Sequence, residues 1–214
     1  MKLLKKVLCL CLLCSMLVVS TAFARYSTEE SELVKLGILT SEEWAETAQK
    51  ETVSRAEMTV IVCRLCGLEK AAKEAVVTSP VFSDVSKDDV LSGYIQVAKE
   101  NGIVNGYPDG SFMPNKGIRY QEALKMLVAV LGYLPKAETM AAYPDGVLMT
   151  ASQLGLTEGF SFVGEKEACF LDVVAVVTHA LDVPLLVQVG FGAEAQYETV
   201  PDLTLRNQNF QIKE

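Results

Sequence analysis

Between Ile118 and Gly132, apolar residues fall at Ala123, Met126, Leu127, Val130 and Leu131. That spacing of i, i+3, i+4, i+7 and i+8 lays one stripe along a helix. The same stripe stands 65 positions earlier at Met58, Ile61, Val62, Leu65 and Cys66. At that offset Gly37-Ile38 meets Gly102-Ile103, Val53 meets Ile118, Glu57 meets Glu122 and Gly67 meets Gly132, without a gap. A third copy comes next. Gly93, Ala98, Gly102, Ile103 and Gly106 correspond to Gly146, Ala151, Gly155, Leu156 and Gly159. After a loop shorter by three residues, Glu122, Met126, Leu127, Val130 and Leu131 correspond to Asp172, Val176, Val177, Ala180 and Leu181. Each copy predicts a short helix, a loop and a longer amphipathic helix. None can bury its stripe alone, so three copies sharing one core is the expected solution.

Local signals refine these elements. Tyr107-Pro108-Asp109-Gly110 is a tight turn, with proline presetting φ and glycine giving the backbone freedom to leave the turn. Tyr143-Pro144-Asp145-Gly146 repeats those letters but precedes the first helix of its copy, so it reads as a turn into that helix. Ser27-x-x-Glu30, Thr40-x-x-Glu43 and Ser54-x-x-Glu57 have the form of capping boxes at helix starts. Beyond Pro184 glycine, proline and alternating Thr, Val and Leu predict a short strand or two.

Phe82-Ser83-Asp84-Val85, the run from Gly93 to Asn115 and the closing Leu131-Gly132-Tyr133 together resemble an S-layer homology repeat. The resemblance implies an all-α fold of three helix-loop-helix repeats packed as a pseudo-threefold bundle, with the longer helices central and a β-prone tail. Its divisions are repeat one at 25–70, repeat two at 80–135, a degenerate repeat three at 140–184 and the tail at 185–214. It also implies a function. Such modules hold exported bacterial proteins on secondary cell-wall polysaccharides, often through pyruvylated sugars. Repeat one lacks the FxDV and GYxDGxF elements and carries Thr40 to Thr52, with Trp44, in their place.

The compartment agrees. Lys2, Lys5 and Lys6 precede an apolar run from Val7 to Val19, and Ala22-Phe23-Ala24 supplies a cleavage triplet. Residues 1–24 therefore read as a secretory signal peptide, with no membrane span expected after cleavage. Cleavage moves the formal charge from −8 to −11. Nucleic acid is thus excluded as a partner, having no basic footprint to bind, and an anionic polymer must be met by local cations. Cys63, Cys66 and Cys169 remain, too few for a disulfide framework. Cys63-x-x-Cys66 lies mid-helix, Cys66 at a position where its counterpart is leucine, so both read as packed thiols. No metal or other cofactor is expected. His179, the single histidine, has no nucleophile or ligand spacing around it and reads as exposed, and no carboxylate pair or calcium loop is patterned. The chain reads as a non-enzyme.

Candidate ligand contacts gather at the starts of the longer helices. Val53-Ser54-Arg55-Ala56-Glu57 is close to the family's (I/V)TRAE motif. Ser54 and Glu57 are accounted for by capping, and Arg55 is not. A guanidinium at a helix N-terminus suits a carboxylate or phosphate. The resemblance associates that arginine with the anionic sugar, against a surface ion pair as the bland reading. Repeat two reads Ile118-Arg119-Tyr120-Gln121-Glu122, with arginine shifted one place and Tyr120, able to stack on a sugar, in its slot. Tyr107 and Asp109 of the turn complete the set, Asp109 as acceptor for sugar hydroxyls. Phe112 reads as a core plug. In repeat three Cys169 and Phe170 hold the matching positions and no clamp survives. Two functions stand as expectations: a wall-polysaccharide anchor, or a surface protein-protein interaction scaffold whose sugar binding has decayed.

Overall fold

The computed structural model describes residues 32–47, 51–190 and 196–210, and these are mostly helical. The expected signal peptide and the Ser27/Glu30 box lie outside the described residues. After a helical stretch at 32–35 come α1 (Ser41–Thr47), α2 (Arg55–Leu65), α3 (Glu69–Glu74), α4 (Ser92–Glu100), α5 (Tyr120–Val130), α6 (Leu134–Met140), α7 (Asp145–Gln153) and α8 (Phe170–Ala180). The chain then forms an antiparallel hairpin, β1 (Pro184–Gln188) and β2 (Tyr197–Thr204), and ends in α9 (Leu205–Asn209).

Capping explains where several helices start. Thr40 and Glu43 exchange backbone hydrogen bonds at 3.0 and 3.1 Å ahead of α1. Ser54 and Glu57 do the same at 2.7 and 3.2 Å at the start of α2. At α5 only half the box exists. Glu122 accepts from the Arg119 backbone N–H at 3.0 Å, but a guanidinium has no lone pair to return the bond.

The long helices α2, α5 and α8 carry the core. They are buried almost all round rather than along one stripe: in α2, Ala56, Met58, Thr59, Val60, Ile61, Val62, Cys63 and Leu65 are all buried. A helix that contacts neighbours on every side needs apolar residues on every side. The shorter helices pack on one another in pairs, α3 with α4 and α6 with α7, by close backbone approach. Gly93 of α4 sits against the Ala72 carbonyl and Gly146 of α7 against that of Ala137, where an added Cβ would lie at 2.3 and 2.1 Å.

Just before the three long helices the chain forms a ring of backbone hydrogen bonds. Ile118 N–H donates to Val53, Ala168 N–H donates to Ile118, and Val53 N–H donates to Ala168, at 2.8, 2.7 and 3.3 Å. The isolated bridges Ser54–Gly117, Arg119–Glu167 and Thr52–Cys169 flank it in the same cyclic order.

The tail is not an appendage. It delivers one donor to the C-terminal end of each long helix: Asn209 Nδ2 to Leu65 O, Leu186 N–H to Leu131 O, and Arg206 N–H to Leu181 O, each at 3.0 Å. Carbonyls at helix ends lack partners within their own helix, so these bonds satisfy groups that otherwise need water. The hairpin lies directly on Gly132, which has φ +83 and would bring a Cβ to 2.0 Å from Leu186 O. Leu205 is buried, and Arg206 bonds Asp182 at 2.6 Å and Glu32 at 2.7 Å, joining the two ends of the described chain.

Cys63 is fully buried and its thiol donates toward Tyr94 O at 3.7 Å, while Cys66 caps α2 half-buried. Burial pushes both thiols up to about 12. We expect Cys63 to stay unlabelled by a thiol reagent under native conditions and to react once urea unfolds the chain; rapid native labelling contradicts this packing.

Candidate functional site

The Tyr107 turn forms as its letters predict. Gly110 N–H donates to Tyr107 O at 2.9 Å, and Asp109 accepts from the Ser111 N–H and hydroxyl at 3.0 and 2.7 Å. Asp109 thus caps its own turn, exposed to solvent. The FSDV segment holds this loop in place. Phe82 stacks on Phe112 with ring centroids 5.3 Å apart, and the Asp84 carboxylate accepts from both Phe112 and Met113 N–H at 2.7 Å. Phe112 is fully buried, the core plug expected. Met113 is held at φ 56, a left-handed conformation that glycine adopts without a Cβ clash. Met113→Gly is expected to raise stability by about 0.5 kcal/mol in urea unfolding, less than the strain relieved because the unfolded glycine is more mobile. A loss of stability instead means the Met113 side chain carries packing worth more than that strain.

Against this loop lies a cleft of about 400 Å³. Arg55, Asn105, Tyr107, Pro108, Arg119, Glu122, Lys125 and Tyr143 line it, with apolar floor from Ile103, Val104 and Met126. Glu122, 7% exposed, is its hub. Its Oε1 accepts from Tyr107 OH at 2.7 Å and Arg119 Nη2 at 2.8 Å, and lies 3.4 Å from Arg55 Nη1. Burial acts to raise the Glu122 carboxyl, but the bonds from Arg119 and Tyr107 and the charge of Arg55 outweigh it and hold it at about 2. Because the folded value lies below the ordinary 4.5, this group's contribution is fully present above pH 4.5 and is lost as pH falls toward 2. Urea unfolding at a series of pH values should therefore show wild-type stability falling through that window. Glu122→Gln should start lower and fall less steeply; parallel curves exclude Glu122 as the titrating group.

Arg55 is where the structure departs most from the sequence reading. It is not a surface side chain. It is 4% exposed, with Nε donating to Phe112 O at 2.8 Å and Nη2 to Asn105 O at 3.4 Å. Its guanidinium lies over the Tyr107 and Phe112 rings, 4.7 Å from each centroid. Arg119, by contrast, keeps 30% of its side chain exposed.

The other expected contacts are not gathered in this cleft. Ser54 caps α2, and Glu57 lines a second, smaller cavity of about 170 Å³ with Leu39, Val60, Ile61 and Phe170. Tyr120 turns toward the start of α8, donating its hydroxyl to Asp172 and packing on Phe162 at 5.3 Å between centroids. Gln121 is buried, with Oε1 unpartnered among the described residues. His179 is half-buried, not exposed as its place off the stripe suggested: its Nδ1 lies 3.0 Å from Leu156 O, a bond across to the segment after α7 that the stripe does not encode. Sequence reasoning missed Lys125 and Tyr143. Tyr143 was visible as the start of the second YPDG run, but only folding brings it beside α5.

Residues 81–124, which contain the turn, its FSDV clamp and the start of α5, match the S-layer homology domain. The chain carries an S-layer homology domain. The chain is 32% identical over 173 residues, 81% of its length, to "Middle cell wall protein" of Brevibacillus brevis. It is 31% identical over 155 residues, 72% of its length, to "Surface layer protein" of Brevibacillus choshinensis. Over 91 residues, 42% of its length, it is 32% identical to "Cellulosome-anchoring protein" of Acetivibrio thermocellus. The chain spans only 16%, 13% and 20% of these relatives' lengths. Among the described residues no helix is long and apolar enough to cross a membrane.

Proposed function

We propose that this chain is a non-catalytic anchoring module that binds an acidic secondary polysaccharide of the cell wall, and that it acts at the cell surface. The cleft carries the reading. Arg55, Arg119 and Lys125 face it against a single acid, Glu122, on a chain whose formal net charge is −8. A local cationic site in an acidic protein selects for a local anion on its ligand, since the overall field repels one. Half-exposed Tyr107 and Tyr143 add aromatic surface of the kind sugars pack on. The names of the relatives, cell-wall, surface-layer and anchoring proteins, support the same setting. The cyclic hydrogen-bond ring and the three 11-residue long helices support a division into three repeats about a pseudo-threefold axis, at 25–70, 80–135 and 140–184.

A scaffold for a surface protein partner is the second reading, favoured by one observation. At the position of Arg55 the other two copies have Tyr120 and Phe170, and the cavity beside Phe170 is mostly apolar. Co-sedimentation of the full chain with purified walls, intact or stripped of secondary polymer, separates the two. Binding that vanishes with the polymer supports the anchor; binding indifferent to stripping sinks it.

A further inference from the structure

We propose that the peptide bond between Val76 and Val77 is a cleavage site, and that the cut molecule stays assembled. The enzyme it fits is an endoprotease that takes its substrate as an extended strand and prefers a small aliphatic side chain before the cut.

Between the end of α3 at Glu74 and the FSDV clamp the chain runs extended. Ala75 has φ −62 and ψ 128, and from Val76 to Pro80 no group makes a hydrogen bond among the described residues. The free run ends at Val81, whose N–H donates to Val85 O at 3.1 Å. Val76 is 80% exposed, and Thr78, Ser79 and Pro80 are exposed beyond it. A groove of about 430 Å³, lined by Thr78 to Val81 and by Gln96, Lys99 and Glu100, leaves open space along the segment. An extended peptide is recognised by pairing with its backbone, so the segment must offer groups not already bonded and side chains not already packed. Val76 to Pro80 offers both.

Exposure alone points elsewhere. Val90 is 93% exposed, yet it sits inside a bonded turn. Asp89 N–H donates to Ser86 O at 3.1 Å, Leu91 N–H to Asp89 Oδ1 at 3.1 Å and Ser92 N–H to Asp89 O at 3.0 Å. Val163, 56% exposed, accepts from Lys166 N–H at 3.0 Å in another turn. Phe160 and Phe162 are pinned by their rings, which pack on each other and, through Phe162, on Tyr120. Val76 combines an extended, unbonded backbone with a side chain free to enter an enzyme's pocket.

The step is hydrolysis. The oxygen of water bonds to the Val76 carbonyl carbon, the C–N bond to Val77 breaks, and a proton goes to the Val77 nitrogen. The new carboxylate and amine form in solvent, so neither charge is buried at a cost.

The contacts that cross the cut hold the pieces together. Ile118 N–H donates to Val53 O at 2.8 Å and Val53 N–H to Ala168 O at 3.3 Å. Arg55 Nε reaches Phe112 O at 2.8 Å, Asn209 Nδ2 reaches Leu65 O at 3.0 Å, and Arg206 Nη1 reaches Glu32 at 2.7 Å. Met58, Val62 and Leu65 stay buried in the core shared with the second piece. Such a cut leaves a two-piece module in place rather than a released fragment.

The probe is pancreatic elastase at a low ratio to the full chain under native conditions, with cuts located by mass spectrometry. Within residues 51–190 the first cut is expected after Val76. Val76→Asp should slow it by roughly tenfold or more, because an apolar pocket must then take up a carboxylate, with an unchanged melting curve. Val90→Asp should be cut like wild type. The nicked chain should elute with the uncut one on size exclusion and separate in urea. Its melting temperature should fall and should rise again with protein concentration, since the two pieces now meet as separate molecules. A first cut anywhere else in that range, the turn at Val90 above all, overturns the site. A cut after Val76 that Val76→Asp does not slow overturns the role of that side chain. Pieces that part in buffer overturn the assembly.

Discussion

Arg55→Gln is expected to lower the melting temperature by roughly 10 °C. The substitution leaves the nearly buried Glu122 without one of its two cationic partners and takes the cation off the Tyr107 and Phe112 rings. Breaking a buried ion pair by removing one member costs about 3–5 kcal/mol. In a chain of this size each kcal/mol moves the midpoint by about 2–4 °C. The carbonyls of Asn105 and Phe112 also lose their donors, so the turn that walls the cleft should loosen. Circular dichroism melting reads the first effect, and proteolysis within residues 105–113 reads the second. A variant that melts like wild type while losing wall binding would return Arg55 to the role of ligand contact.

Ending the chain at Val183 should abolish cooperative unfolding. The deletion removes the donors to Leu65, Leu131 and Leu181 carbonyls, the burial of Leu185 and Leu205, and the Arg206 links to Asp182 and Glu32. Two buried leucines are worth about 1.5–3 kcal/mol each, and each net hydrogen bond about 0.5–1.5 kcal/mol. Together these approach the 5–15 kcal/mol that holds an ordinary domain folded. The shortened chain should therefore show a broad, low-amplitude melt and exposed apolar surface by dye binding. A sharp transition near the wild-type temperature would make the tail dispensable, as its place after the last helical copy suggests.

Much of the local structure was legible. The boxes at Thr40 and Ser54, the Tyr107 turn and the stripes of α2, α5 and α8 each depend on contacts within four or five residues, so a window of sequence contains every group involved. Phe112 as a plug was legible for the same reason, an aromatic after a turn with an apolar helix next in the chain. The cleft was legible only in part. Arg55, Arg119 and Tyr107 were visible as chemistry, but their exposure was not, and exposure decides which can meet a ligand. Arg55 is buried because Asp84, 29 positions away from it, holds the loop whose rings pack on it. Tyr143 and Lys125 meet across 18 positions and two elements. The tail's bond to Leu65 spans 144 positions and carries no periodicity at all.

The sequence by itself therefore determined the long helices, their caps and the Tyr107 turn, because propensity, capping and spacing act along the chain. Only the tertiary structure decided that Arg55 is buried beneath the Tyr107 loop while Arg119 stays partly exposed, and that the tail closes the three long helices. Those outcomes depend on which surfaces exclude water, and water is excluded by groups that the chain brings together from far apart.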